Sequence, residues 1–214
     1  MPADFEAIKV LVAESFSLLP GWTIALLLAC SFLGSLMTAA VGVGGGAFLL
    51  MVMTTLVPPL ALIPLHGIVQ MGSNVNRAIL TRHHIQPCIV GFFAIGAILA
   101  ALAAVYLLDR VLDAQWIPLL VAVFILCLCW GPMPEFRFGR TSPGLVLGGL
   151  FTTLITALVG ATGPLVSAWL GRSGIDRWTY TANFAACMSL QHGLKILIFG
   201  LAGFVYTPWS PLLI

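Results

Sequence analysis

Charge is scarce in this sequence. Asp, Glu, Lys and Arg make up 7% of its 214 residues, against about 25% in an ordinary soluble domain. From Ser15 to Asn76, a stretch of 62 positions, there is no charged residue at all. With 60% hydrophobic residues and a mean hydropathy of +1.09, a soluble globular fold is excluded and an all-α, polytopic integral membrane protein is expected. The uncharged stretch is too long for one crossing of ~20 residues, so it holds several. Lys/Arg-rich runs are also missing, and a net charge of +2 gives no footing for nucleic acid as a partner. The apolar segments contain no Asp or Glu for acid–base work, no HExxH and no thiolate cluster, so neither an enzyme nor a cofactor is expected. Cys30, Cys88, Cys127, Cys129 and Cys187 lie in or beside apolar segments, where cysteine behaves as a small hydrophobe.

What is present is a set of apolar segments. Residues 1–21 lack the basic start and small-residue cleavage site of a signal peptide. Phe5, Ile8, Val12 and Phe16 recur there at helical spacing, which predicts an amphipathic helix at the membrane interface. Apolar segments follow at Trp22–Ala40, Gly45–Val57, Leu60–Thr81, Pro87–Leu108 and Ala114–Trp130. The second is short of the ~17–25 residues a crossing needs and reads as a half-helix or re-entrant limb. A polar connector at 131–143, holding Glu135, Arg137 and Arg140, leads into a second half at 144–214.

The two halves match at an offset of 118 positions. Thr38-Ala39-Ala40-Val41-Gly42 faces Thr156-Ala157-Leu158-Val159-Gly160, Gly45 faces Gly163, Asn74 faces His192 and Arg77 faces Lys195. Internal symmetry of this kind marks transporter repeats. The expectation is repeat 1 at 22–130 and repeat 2 from 144, the second incomplete, since its equivalent of Trp130 would fall near residue 248. By the positive-inside rule the loop at 77–86 with Arg77, Arg82, His83 and His84 is cytoplasmic, the 109–113 loop is outside, and the connector, Arg172 and Arg177 are inside. The N-terminus then lies outside, and an odd number of segments per half makes the repeats inverted.

The chain is organised around Val41-Gly42-Val43-Gly44-Gly45-Gly46. Glycine-rich backbone at membrane depth is tolerated only where protein buries it or a cavity hydrates it. A helix starting near Gly45 would aim free N–H groups and a positive dipole end at that cavity, which favours an anion. Gly160-Ala161-Thr162-Gly163-Pro164 is a second such break, with proline suited to a helix's first turn. His66, Gln70, Ser73, Asn74 and Arg77 form a polar stripe on one helix face, answered by Asn183, Ser189, Gln191, His192 and Lys195. Ionisable groups in a membrane segment are functional candidates by default, whereas the serines and asparagines equally suit helix-to-helix hydrogen bonds and Arg77 is near enough to its helix end to snorkel. The candidate anion site is therefore Gly44, Gly45, Gly46, His66, Gln70, Asn74, Arg77, Thr162, Gly163, Gln191, His192 and Lys195, with Arg77 and Lys195 as paired cations and His66 and His192 as groups able to carry coupled protons.

These motifs resemble the TauE/SafE family of sulfite exporters, also called the 4-toluene sulfonate uptake permease family. The resemblance is carried by Gly42 to Gly46, by Ile63-Pro64-Leu65-His66-Gly67 through Gly72-Ser73-Asn74 and Arg77, and by Gly160 to Pro164 with Gln191-His192 and Lys195. It departs where Leu50-Met51 replaces a usual proline and where the His66–Ser73 sequence replaces Thr-Ser-Leu. It implies a multi-pass carrier of the cell inner membrane built from two related halves and moving sulfite, organosulfonates or related organic anions, and the two broken helices add the expectation of alternating access. Its partners would be the anion and the lipid bilayer, with a homo-oligomer as an option. The alternatives are a passive anion channel and a membrane-embedded accessory or enzyme subunit.

Overall fold

The computed structural model describes residues 19–111, 116–130, 139, 141–171 and 174–212. Of the expected interfacial helix at 1–21, residues 1–18 lie outside the described residues, as do most of the connector and Arg172, and Gly21 already belongs to the first described helix. Eight α-helices are described: α1 (Gly21–Val41), α2 (Gly45–Leu56), α3 (Pro59–Leu80), α4 (Pro87–Val111), α5 (Ile117–Trp130), α6 (Ser142–Val159), α7 (Gly163–Leu170) and α8 (Arg177–Leu201). Short 3₁₀ turns at Arg82–His84 and Thr207–Leu212 complete the described elements, which include no strand.

Four helices, in α1, α4, α6 and α8, are long and apolar enough to cross a membrane. The chain is an all-α, multi-pass integral membrane protein. Its outside is apolar: Phe32 and Leu36 on α1 and Ile95, Leu99 and Leu102 on α4 are exposed, which suits a surface in contact with lipid. Trp22, Trp116, Trp130 and Trp178 stand exposed at helix ends, where amphipathic aromatic rings sit at the membrane–water interface. α3 is 22 residues long but less apolar, because its polar stripe turns inward: His66, Gln70 and Asn74 are all buried.

The most extensive pairings are α4 with α6 and α3 with α8. Small residues permit the first. A Cβ at Gly96 would collide with the Val146 carbonyl, and one at Gly149 with the Phe93 carbonyl, so the two backbones touch. The second pairing is antiparallel, since the end of α3 meets the start of α8. There His84 stacks on Trp178 with ring centroids 6.2 Å apart, and Asn183 Oδ1 accepts from the Gln86 backbone N–H at 2.8 Å. Asn183 thus ties α8 to the residue before α4, and Ser73 ties α3 to α1, its Oγ 3.1 Å from Ser35 Oγ.

The breaks come where the glycines predict. α1 ends at Gly42 and α2 is preceded by Gly44, with φ of 92° and 108°, values that L side chains rarely adopt. α2 then folds back against α1. A Cβ at Gly45 would strike the Gly34 carbonyl and the Thr38 hydroxyl, and Thr38 Oγ1 accepts from the Gly45 N–H at 3.1 Å. In the second half α6 ends at Gly160, again with positive φ (87°). At the 118 offset the end of α1 coincides with the end of α6, and the starts of α2 and α3 with those of α7 and α8.

Candidate functional site

The two breaks converge. Gly163, at the start of α7, faces Val43 of the first break, and Gly160 faces Leu50 of α2 and Ile63 of α3. Between them lies a cavity of about 20 Å³, lined among others by Gly44, Gly46, His66, Gln70, Asn74, Gly163 and His192. That volume accommodates about one water. The helix starts point into it. The first backbone bond at the start of α2 is Phe48 N–H to Gly44 O, which leaves the N–H groups of Gly46 and Ala47 ahead of the ladder. At the start of α7, Val166 N–H to Thr162 O is the first, and Pro164 has no N–H to satisfy.

Behind this cavity a buried basic cluster joins the two breaks. Lys195, with no solvent exposure, donates from Nζ to Gly160 O at 2.7 Å and lies 3.4 Å from His66 Nδ1. His66 Nε2 lies 2.9 Å from Gly46 O. A carbonyl only accepts, so Nε2 carries the proton and Nδ1 is the acceptor for the ammonium. The imidazole of His66 therefore ties one break to the other. His192 meets His66 edge to face, with ring centroids 5.9 Å apart. It is 1% exposed, and neither of its ring nitrogens has a hydrogen-bond partner. Gly67 makes room for the lysine stem, since a Cβ there would come 2.8 Å from Lys195 Cε.

Seven of the twelve residues picked out in the sequence line this cavity: Gly44, Gly46, His66, Gln70, Asn74, Gly163 and His192. Lys195 stands behind His66, and Gly45 is spent on packing against α1. Gln191 and Thr162 are held in a separate network, in which Gln191 Nε2 donates to Thr152 Oγ1 at 2.6 Å and Thr153 Oγ1 at 3.0 Å and Thr162 donates to Thr156 Oγ1 at 3.1 Å. Arg77 is not paired with Lys195. It is half-buried, donates to Asn74 Oδ1 at 3.4 Å, and lines a different and larger cavity with Arg177. The sequence reading missed Thr38, Phe184 and Met188 as lining residues. Thr38 carried a signal, because it and its equivalent Thr156 both bond to residues at their own breaks; Phe184 and Met188 are ordinary core side chains in sequence.

A polytopic helical protein with two interrupted helices meeting at a buried polar centre belongs to the class of membrane transporters. The particular family follows from the chain itself: residues 27–214 match the model of the sulfite exporter TauE/SafE family, and the protein belongs to that family. No individual curated protein and no solved structure matches it.

Proposed function

We propose that this protein is a secondary transporter that carries a small anion, sulfite or an organosulfonate or a related organic anion, across the cell inner membrane by alternating access. The observation that carries this reading is His192, whose two buried nitrogens lack partners at the wall of a cavity capped by two helix starts. A buried polar group without a partner costs roughly 1–3 kcal/mol, and an oxyanion in the cavity would accept from the ring N–H. Lys195 supplies the charge, with no carboxylate beside it among the described residues. The anion therefore completes an ion pair that the protein leaves half-made, and His66 and His192 beside it are groups through which proton movement would be coupled.

The cavity is too small for a sulfonate as it stands, so loading requires the halves to separate. Two features support a rocking of inverted repeats about the site. Helix bounds recur at 118 positions, and the equivalent helices α3 and α8 run antiparallel. The division into halves at 22–130 and 144–214 belongs to the same proposal.

The test is thermal unfolding of the purified protein with sulfite, benzenesulfonate, taurine and acetate. A ligand at about 100 times its Kd stabilises the folded state by roughly 2.7 kcal/mol. The expected result is a shift with one anion class that disappears in Lys195→Met. Absence of any shift would overturn the site. Uphill accumulation in proteoliposomes under a proton gradient separates a transporter from a channel.

A further inference from the structure

A second cavity, of about 340 Å³, opens where α1 and α3 end and α8 begins. Its size falls in the range of small-ligand sites, ~300–1,000 Å³, unlike that of the central cavity. It is lined by Arg77, Arg177, Thr181, Phe184 and the last residues of α1, Thr38 to Gly42. Both guanidiniums are spent on neutral acceptors: Arg77 on Asn74 Oδ1 and Arg177 Nη2 on Ala39 O at 3.2 Å. The neighbouring carboxylate, Asp176, lies outside the lining and caps α8 by accepting from the Trp178 and Thr179 N–H groups at 2.9 and 3.1 Å. Hydrogen bonds from Thr179 hold its carboxyl below the usual range.

Thr38 and Phe184 line both cavities, so these two side chains form the partition between them. The cavity is also the counterpart of the lysine site in the other half. Lys195 is closed onto Gly160, and their equivalents at the 118 offset are Arg77 and Gly42, which line the open cavity together.

We propose that this cavity is a loading vestibule, in which Arg77 and Arg177 grip the oxyanion headgroup of an organosulfonate or sulfite before it passes Thr38 and Phe184 to the central site. A guanidinium fork matches two oxygens of such a group, and Phe184 and Ile175 give an apolar wall for an organic body. The vestibule rests on the transporter reading for its destination but not for its binding chemistry.

The experiment places a reporter on the wall, Thr181→Cys, in protein with Cys88, Cys127 and Cys129 replaced by serine, and compares an anionic with a cationic methanethiosulfonate. The anionic reagent is expected to react faster, and Arg77→Gln with Arg177→Gln to cut that preference by about tenfold, the low end of electrostatic focusing in a charged cleft. Benzenesulfonate should slow the reaction only with both arginines present. Ile175→Cys reports on the same wall if the first variant does not assemble. Equal rates for the two reagents, no reaction with either, or protection that survives the double arginine variant would each overturn the proposal. His192→Leu separates the two readings. Protection that persists in His192→Leu supports a distinct vestibule whatever becomes of the central site, and protection lost with it would merge the two and refute the vestibule.

Discussion

His192 and Lys195 lie one helical turn apart on α8 and present opposite problems. Among the described residues the lysine has partners but no counter-charge, since Gly160 O and His66 Nδ1 are both neutral acceptors, and the histidine ring nitrogens have no hydrogen-bond partner. His192→Leu is therefore expected to hold or raise the melting temperature of the ligand-free protein, because it removes a desolvation cost of roughly 1–3 kcal/mol, while weakening anion binding at least tenfold. A thermal melt with and without anion checks both signs. Gly67→Ala should act on function with little effect on assembly, because the atom it displaces is near the end of the Lys195 side chain; proteoliposome uptake should fall several-fold while expression in the membrane is kept. At this scale the sequence identified the ionisable groups, since a histidine or lysine inside an apolar helix stands out. It did not foresee their grouping. Arg77 and Lys195 are equivalent at the 118 offset, but equivalence across an antiparallel pair relates positions by an axis and does not bring them into contact: Arg77 lines the larger cavity, and Lys195 is buried behind His66.

The elements were largely legible, because glycine and proline punctuate this chain where its helices start and stop. The half-length α2 was read from its short apolar run, and it packs back on α1 through Gly34, Thr38 and Gly45. What the sequence hid was pairing. The uniform apolarity that identifies a membrane helix also erases the stripe that tells which face meets which neighbour, so the contact of α4 with α6 appears only in three dimensions. That contact gives a sharp prediction. Gly149→Val sets a side chain against the Phe93 carbonyl and the Ala97 N–H, backbone atoms that cannot move aside, and overpacking of this kind costs roughly 1–3 kcal/mol or more. Detergent-extracted Gly149→Val should melt well below the parent, whereas Gly91→Ala, where a Cβ meets nothing within 4 Å, should not.

For the molecule as a whole, orientation and cycle are linked. Arg77, Arg82, His83, His84 and Arg177 gather at the end where the proposed vestibule opens, and the expectation from the positive-inside rule is that this end faces the cytoplasm. Cys88, exposed near the start of α4, should accordingly react with an impermeant maleimide in inside-out vesicles and not in intact cells. On the proposed two-repeat reading, the first half is open at Arg77 and Gly42 in this conformation and the second is sealed by Lys195 on Gly160. If the halves exchange roles, Arg77 closes toward Gly42 in the opposite state and the seal at Gly160 opens to the outside. Ile63 packs against Gly160 and has no solvent exposure, so it reports the exchange. Ile63→Cys is expected to gain reactivity toward an external thiol reagent during anion transport, as Thr181→Cys loses it toward an internal one. Simultaneous reactivity at both positions would mean a continuous pore and a channel. An Ile63→Cys that stays unreactive while anion flux proceeds would mean that the path does not pass between the two breaks.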